Sequence, residues 1–495
     1  MKRVGLGLGL ALLVLIGVLA LRAATLRSAQ IEVPAAPAID LDPAAISQRL
    51  GLVLRFETIS SEDPADFEPR AFRAMRGYLR RLYPNTHRVL EWERVADWSL
   101  LYTWQGRDPS LPPILLAAHL DVVPADPASL GQWTHPPFGG VVKDGVVWGR
   151  GAIDDKASVI AILEAVERLV RERFTPERTV YLAFGHDEEV GGMEGARAIA
   201  RLLDERGVEL GFALDEGGVV ASGYLPELVA TPIALVGIAE KGSAAIGLEL
   251  EAEGGHSSAP TRRSAIGELA RVVVRLENHP MPARIDGVTA DFLDRLAPEL
   301  GFLPRVVLAN RWLFGPLVSR YFARVPALDA MQRTTTAVTI FESGLKENVL
   351  PTRARAVVNF RIHPRDSINA VSKHVRDTIA DDRVRVAVGV REPPRNASPV
   401  SPVDSDAWRE LARAIRASFP EAAVVPYLVI GGTDGRHYHR LTDTVYRFTP
   451  LVQGPEALKL AHGIDERVSA ENLAGAVRFY VRLLQSATGS AGATP

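Results

Sequence analysis

Ile114-Leu115-Leu116-Ala117-Ala118-His119-Leu120-Asp121 is a short apolar run that ends in a histidine and a carboxylate. Val180-Tyr181-Leu182-Ala183-Phe184 and Gly211-Phe212-Ala213-Leu214 are two further apolar runs. Between the first two runs, apolar residues recur at helical spacing from Ile160 to Val170. Continuous apolar strands that alternate with amphipathic helices are typical of α/β folds. We therefore predict a mainly parallel sheet flanked by helices.

Polar residues follow each of these strands. His119 ends the first, Asp187-Glu188-Glu189 follows the second and Asp215 follows the third. Asp154 comes after the glycine-rich turn Gly149-Arg150-Gly151, at the start of a helix. Ligands of open α/β sheets bind beyond the carboxyl ends of the strands, so these clusters are expected at one site.

Each cluster taken alone also fits a structural role. A His-x-Asp pair can be a surface or capping pair, Asp154-Asp155 can cap a helix, and Glu188-Glu189 can lie in a solvated loop. Their joint occurrence at predicted strand ends favours a functional site. Imidazole and carboxylate groups suit zinc, and two neighbouring ions need a bridging carboxylate.

Composition excludes several other classes of site. The chain has no cysteine, which excludes disulfides and thiolate metal sites. Its 57 basic and 59 acidic residues nearly balance, and no basic block indicates a nucleic-acid partner.

The motifs resemble the dinuclear zinc family that includes aminoacylase, carnosinase and yeast carboxypeptidase S. The branch that it most resembles contains carboxypeptidase S and N-fatty-acyl-amino-acid synthase/hydrolase. The resemblance covers nearly all of the chain after its N-terminal segment. It rests on His119-Leu120-Asp121, Gly149 to Lys156, Asp187 to Gly192, Leu214 to Gly218, Gly255 to Pro260, Arg333 to Ala337, Glu347 to Pro351, Asn359 to Pro364 and His462 to Glu466.

The resemblance implies a site for two zinc ions, for which cobalt or manganese can substitute. His119 would bind one ion, Asp121 would orient that histidine, and Asp215 would complete the first site. Asp154 would bridge both ions. Glu189 and His462 would complete the second site, and Glu188 would be the general base.

The resemblance also implies an amidohydrolase whose substrate, a small molecule or short peptide, carries a free carboxylate. His256 of an inserted lid would polarise the scissile carbonyl, often across a dimer interface in relatives, and Asn348 would face the same centre. The expected carboxylate-binding residues are Lys241, Arg361 and Arg436, although each also fits a structural ion pair. The branch favours N-acyl amino acids, with long-chain fatty-acyl ones among them; the alternative is a carboxypeptidase or dipeptidase that acts on short peptides.

The N-terminus predicts a membrane segment. Met1-Lys2-Arg3 precedes an uncharged, mostly apolar run from Val4 to Leu21. As a helix that run is about 27 Å long, close to the ~30 Å hydrocarbon core of a bilayer. An uncleaved anchor that leaves the rest of the chain outside the cytoplasm is expected. The alternative is secretion after cleavage near Val18-Leu19-Ala20.

The pattern of the whole chain predicts two folded domains. The expected divisions are an anchor or signal over 1–24, a linker over 25–43, catalytic parts over 44–240 and 389–485, an α+β lid over 241–388 and a disordered tail over 486–495. An apolar segment within the lid, Phe302 to Tyr321, could line an acyl-chain groove, lie against a membrane or form the lid's own core.

Overall fold

A computed structural model describes residues 2–61, 63, 65–224, 229, 231–390 and 393–489. The helices are α1 (Lys2–Thr25), α2 (Pro43–Val53), α3 (Pro69–Leu82), α4 (Pro84–Val89), α5 (Lys156–Arg171), α6 (Ala196–Glu205), α7 (Ala265–Asn278), α8 (Gly287–Leu296), α9 (Phe302–Ala309), α10 (Arg311–Phe322), α11 (Pro326–Gln332), α12 (Ile368–Ile379), α13 (Asp406–Ser418), α14 (Gly435–Tyr438) and α15 (Ala470–Thr488). The strands are β1 (Glu91–Val95), β2 (Ser99–Trp104), β3 (Ile114–His119), β4 (Val141–Lys143), β5 (Val146–Trp148), β6 (Val180–Gly185), β7 (Phe212–Asp215), β8 (Val220–Ala221), β9 (Ile233–Glu240), β10 (Gly242–Glu251), β11 (Gly255–His256), β12 (Thr335–Ser343), β13 (Val349–Leu350), β14 (Arg353–Ile362), β15 (Val384–Val388), β16 (Ala423–Val429), β17 (Val445–Arg447), β18 (Val452–Gln453) and β19 (Arg467–Ser469).

The larger sheet has the order β1-β2-β6-β3-β7-β17-β9-β8-β18, and β16 also pairs with β9. Its centre is parallel, because β3 runs parallel to β6 and β7, and β7 runs parallel to β17. β1 and β2 pair antiparallel with their neighbours, and β9 pairs antiparallel with β17 and β8 but parallel with β16, so the sheet is mixed. The predicted α/β class is confirmed, with more antiparallel pairing than the apolar runs indicated.

Helices cover both faces of this sheet, as continuous apolar strands require. Leu116 and Ala118 of β3 pack in the core formed with α2, α5, α13 and α15. Leu115 and Ala117 face the other side, where α6 and Tyr438 of α14 complete a second core. All residues of β3 are buried. The site-bearing strands are therefore held from both sides.

A separate four-stranded antiparallel sheet has the order β12-β14-β10-β15, and α7 and α12 pack on one of its faces. The chain enters this lid at Gly242 and leaves it at Arg395, where Ser243 and Arg395 exchange backbone hydrogen bonds of 2.8 and 2.9 Å. A Cβ on Gly242 would lie 2.4 Å from the Arg395 carbonyl oxygen, so this close approach requires glycine.

Helices α8 to α11 lie within the segment that we expected to be the lid, yet they pack elsewhere. Phe292, Leu293 and Phe322 form a core with Ala423 and Val425 of β16 in the larger sheet. Apolar periodicity predicts a helix but does not specify the element on which it packs, and this explains the difference.

The N-terminal helix α1 contains a stretch, Leu6–Thr25, that is long and apolar enough to cross a membrane. Its mean hydropathy is 2.4, and only 6% of its apolar part is buried within the protein. The following residues form neither helix nor strand up to α2, but they are bonded to the body. The side-chain amide of Gln30 both donates to and accepts from the Val424 backbone, and Arg482 and Arg168 donate to the carbonyl oxygens of Pro37 and Asp40.

At the other end of the chain, α15 extends to Thr488, so the expected disordered tail begins inside a helix. Residues 490–495 lie outside the described residues.

Glu240, at the end of β9, is fully buried. It accepts hydrogen bonds from the Thr433 backbone and hydroxyl at 3.0 and 2.9 Å, and from the buried Arg447 at 3.3 Å. We expect Glu240→Leu to lower the free energy of unfolding by about 3–5 kcal/mol, because Arg447 would remain buried without its partner. Denaturant titration measures this change.

The matched control is Glu93→Leu, which removes an ion pair with Arg206 between two side chains that are about 40% exposed. Exposed pairs contribute about 0–1 kcal/mol, so equal losses in the two variants would contradict the structural role of Glu240.

Candidate active site

Three neighbouring parallel strands end at the same edge of the larger sheet. In the order β6-β3-β7, they carry the Glu188–Val190 turn, His119 and the Asp215-Glu216 pair. A fourth group, Asp154, lies two residues before the start of α5, which packs on β3. The topology thus brings together residues that are distant in sequence, as predicted from the apolar runs.

Asp154 lies between two histidines. Its Oδ1 is 2.9 Å from Nε2 of His119, and its Oδ2 is 3.1 Å from Nε2 of His462. The two carboxylate oxygens therefore face different imidazoles. This is the arrangement expected of a carboxylate that bridges two metal ions.

The first potential metal-binding group consists of His119, Asp154 and Glu216. Glu216 Oε1 lies 3.5 Å from His119 Nε2. The sequence predicts Asp215 as a ligand of this first site, and that role stays a prediction; Glu216, the next residue in the chain, is the carboxylate that lies near His119 in this group. Asp215 is still paired within the sheet, opposite Arg447, and its carboxylate accepts a hydrogen bond from the Gly435 backbone.

The second group consists of Asp154, Glu189 and His462, as expected. Nε2 of His462 lies 3.1 Å from Oε2 of Glu189. The His462 side chain is 54% exposed, whereas that of His119 is 1% exposed. The two groups therefore share Asp154 but differ in their access to solvent.

Asp121 is buried and supports both groups from behind. His119 Nδ1 lies 3.0 Å from the Asp121 carbonyl oxygen and 3.3 Å from its Oδ1. The carboxylate also accepts hydrogen bonds from the Glu188 and Glu189 backbone, at 3.2 and 3.0 Å, and from the Ser60 hydroxyl at 2.6 Å. Asp121 thus orients the imidazole and fixes the turn that carries the two glutamates.

Glu188 makes no hydrogen bond through its carboxylate to any described residue. Burial raises the pKa of Glu188 well above its usual range, and the nearby charges of Glu216, Asp434 and Glu189 add to this effect. A carboxylate that is destabilised in its charged form has the character of a proton acceptor.

Sequence reasoning gave no role to Glu466, although it lies next to the His462 motif. This buried carboxylate accepts hydrogen bonds from the Ile153 and Asp154 backbone at 2.8 and 3.2 Å, and pairs with Arg150 at 2.7 Å. Arg150 in turn donates to the His462 carbonyl oxygen at 3.0 Å. Glu466 and Arg150 together connect the bridging aspartate to the loop of the second histidine.

The electrostatics of the site favour cations. Hydrogen bonds with Asp154 and Glu189 raise the pKa of His462 to about 10, while burial and the charge of Asp154 raise the pKa of Glu216 to about 7. A metal would replace these protons, because it binds neutral imidazole and ionised carboxylate.

The donor set fits a pair of divalent metal ions. Only nitrogen and oxygen donors converge, a set that suits zinc and also accepts cobalt or manganese. In addition, Oε1 of Glu189 is buried without a hydrogen-bond partner among the described residues. Such an atom is costly to bury unless a ligand satisfies it.

The structure brings His256 and Asn348 together on a ribbon of the lid. His256 in β11 pairs with Val349 in β13, and the Asn348 carbonyl oxygen accepts from Ser257 at 3.1 Å. His256 is exposed, and its Nδ1 accepts from the Ser258 backbone at 3.1 Å, which leaves Nε2–H as an outward donor. No described residue of either metal-binding group contacts His256.

Lys241 is not available to substrate, contrary to expectation. It is fully buried, and its ammonium group donates to the carbonyl oxygens of Ala330 and Arg333, at 3.0 and 2.9 Å. Burial, followed by the charge of Arg361, lowers its pKa to about 7.

Arg436 is likewise occupied by the protein, since it donates to the carbonyl oxygens of Thr433 and Gly191, each at 2.6 Å. It joins two loops of the site. Arg361 differs from both, because this half-buried guanidinium makes no ion pair or hydrogen bond with a described residue. Of the three expected carboxylate-binding residues, Arg361 alone makes no hydrogen bond or ion pair in the described part of the chain.

Comparison with known proteins shows the family of the chain. A family model described as Peptidase family M20/M25/M40 matches residues 115–486. The chain is 43% identical to probable carboxypeptidase S-like 2 of Dictyostelium discoideum, over 90% of this chain and 86% of that protein. It is 42% identical to N-fatty-acyl-amino acid synthase/hydrolase of Mus musculus, over 83% of this chain and 81% of that protein. Its fold is similar to that of an M20 family metallo-carboxypeptidase of Sulfolobus solfataricus. The TM-score is 0.64 at 18% identity, and the match covers 90% of this chain and 99% of that protein.

We expect Glu216→Ala to weaken metal binding more than Asp215→Asn does. Glu216→Ala removes a metal-binding carboxylate. Loss of a group that only supports a ligand by hydrogen bonding lowers metal affinity by about 10- to 100-fold, and loss of the ligand itself should lower it more. Titration of the metal-free proteins with zinc, read by calorimetry, compares the two variants with wild type. A larger loss of affinity in the Asp215 variant would support Asp215 as the ligand instead.

Proposed function

Because the chain belongs to peptidase family M20/M25/M40, we propose that this metallohydrolase cleaves the amide bond of N-acyl amino acids, including long-chain fatty-acyl ones. The observation that carries the proposal is the position of Asp154 between two histidines, with Glu188 nearby as an unbonded carboxylate. The residues supply both requirements of amide hydrolysis by activated water, namely cation-binding groups and a base.

We assign the two ions as zinc. His119, Asp154 and Glu216 would hold one ion, and Asp154, Glu189 and His462 would hold the other. When bound, the ions would lower the pKa of water towards ~7 and polarise the substrate carbonyl.

Glu188 accepts the proton of the attacking water and delivers it to the leaving amine. Its backbone is fixed by the hydrogen bond to Asp121, so the carboxylate is presented from a rigid turn. Its raised pKa suits this role, since a base must hold the proton before it passes the proton on.

His256 donates from Nε2 to the developing oxyanion, and Asn348 is placed beside it on the same ribbon. Since His256 is exposed and contacts neither described metal-binding group, we assign it to the site of a second copy across a homodimer formed through the lid.

Arg361 binds the substrate carboxylate. Its guanidinium is half-buried and makes no hydrogen bond or ion pair with a described residue. A guanidinium without a protein partner suits bidentate binding of a carboxylate.

The name of the Mus musculus relative supports a fatty-acyl substrate, and that of the Dictyostelium relative supports a carboxypeptidase as the alternative. Both would cleave an amide beside a C-terminal amino acid. The synthesis named for the first relative is the reverse of the same reaction.

We further propose that α1 is an uncleaved anchor and that the folded part lies outside the cytoplasm. The helix is long, apolar and exposed, and the basic residues at its start precede the span. Secretion after cleavage is the alternative.

The zinc-loaded protein, given N-oleoyl amino acids, N-acetyl amino acids and dipeptides in one mixture, should release amino acids mainly from the oleoyl set. Mass spectrometry of the released amino acids measures this preference. The matched control is Glu188→Gln, which should lower turnover by about 10²- to 10⁴-fold, the usual contribution of general acid–base catalysis, with its metal content unchanged.

Preferential release from dipeptides would replace the acyl-amino-acid proposal with the carboxypeptidase. Normal turnover of the Glu188 variant would overturn the assignment of the base.

Arg361→Ala should raise KM by about 10-fold or more for substrates with a free carboxylate, because a charge-assisted hydrogen bond contributes about 1.5–3 kcal/mol. For the matching carboxamides the variant should equal wild type. Arg385→Ala, a change at an exposed arginine on the same lid sheet, serves as the control. Equal effects on carboxylate and carboxamide substrates would show that Arg361 has a structural role only.

A further inference from the structure

Helices α9 and α10 expose an unusual amount of apolar surface. α9 has no buried residue. We call the exposed set the apolar platform. Its members are 40–76% exposed and comprise Phe302, Leu303, Trp312, Leu313, Leu317 and Tyr321. Exposed apolar surface of this extent marks a contact site for a membrane or another molecule.

The platform is continuous with the N-terminal helix. The buried Asn310, between α9 and α10, donates to the Leu19 carbonyl oxygen at 3.1 Å. Arg22 donates to the Ala309 carbonyl oxygen at 3.3 Å. These contacts lie in the last two turns of α1, within about 10 Å of its end at 1.5 Å per residue. The platform therefore lies at the level where α1 would leave the hydrocarbon core.

The sequence of α9 and α10 carries only positive charges, of which Arg311 is paired with Asp294 of α8 at 2.7 Å. Between Glu299 and Asp329 the sequence contains Arg305, Arg311, Arg320 and Arg324 but no acidic residue. A cavity of about 240 Å³ between α1 and these helices is lined by Arg22, Arg311 and Trp312, among others. Arginine surrounding apolar residues, with tryptophan and tyrosine among them, is the composition of interfacial helices that lie on anionic lipid.

We propose that α9 and α10 lie in the headgroup region of the same bilayer that α1 crosses. The apolar platform reaches the acyl-chain boundary, and the exposed Arg320 and Arg324 face the phosphates of anionic lipids. The proposal rests on the proposed anchor, but it adds a second, peripheral attachment that fixes the orientation of the folded part. A helix in this position is typically buried about 5–10 Å, which agrees with the level set by α1.

The absence of cysteine permits a direct test in the full-length chain. Leu303→Cys and Leu317→Cys would each be labelled with an environment-sensitive fluorophore, and the proteins would be reconstituted into phosphatidylcholine–phosphatidylglycerol vesicles. Leu345→Cys, on a fully exposed lid loop, is the matched control. Hydrolysis of a soluble N-acetyl amino acid at the wild-type rate would verify that each labelled protein is folded.

The fluorophores at 303 and 317 should be quenched by lipids that carry a spin label near the headgroup, and protected several-fold from aqueous iodide. The fluorophore at 345 should show the opposite pattern. If the protein stays in the vesicles but all three fluorophores respond equally to iodide, the docking proposal is overturned and the anchor stands. Protection from iodide without quenching by lipid would also overturn it, in favour of a protein contact.

Flotation of the vesicles after an alkaline wash tests the anchor separately. If the protein does not float with the vesicles, the anchor is overturned, and the docking proposal with it.

Discussion

The repulsion between carboxylates at one sheet edge is the constraint on which the rest of this structure depends. Several acidic side chains lie there, mostly withdrawn from water, among them Asp121, Asp154, Glu188, Glu189, Asp215, Glu216 and Asp434. Negative charges cannot share a space of low dielectric constant unless donors or cations compensate them. The two histidines and several backbone amides compensate part of the charge. Cations must compensate the rest of the negative charge. The same arrangement that destabilises the metal-free protein therefore gives it affinity for metal.

A second layer of carboxylates sets the geometry without joining the metal-binding groups. Asp121 holds the Glu188 turn, Glu466 holds the backbone at Asp154, and Glu240 holds the loop that begins at Thr433. All three accept hydrogen bonds from backbone amides, which belong to the fold rather than to flexible side chains. The positions of the inner donors are therefore determined before any ion arrives, and this preorganisation is what a catalytic metal centre needs.

Much of the site was predictable because continuous apolar runs reveal parallel strands, and the ends of such strands converge. Whether Asp215 or Glu216 is the metal ligand could not be decided from the sequence, because the answer depends on which of these two adjacent side chains faces His119 from the end of β7. Lys241 and Arg436 are ordinary cations in the sequence, and only the folded chain shows that backbone carbonyl oxygens occupy them. Arg361 cannot be told apart from these two residues in the sequence, yet in the structure it makes no hydrogen bond or ion pair with a described residue. Helices α8 to α11 were predictable as helices, but the sheet on which they pack was not.

The segment between α1 and α2 has a consequence for how far the enzyme can reach. As a free tether, its residues 26–42 would extend to roughly 60 Å at ~3.5 Å per residue, so the catalytic part could sample a wide volume above the bilayer. Instead, Gln30 is bonded to β16, while the carbonyl oxygens of Pro37 and Asp40 accept from arginines on α15 and α5. The segment is thus fixed against the folded body and is not a flexible linker. In the proposed anchored form, this segment would hold the catalytic part at a fixed distance from the bilayer and would favour encounters with molecules that partition into the lipid surface.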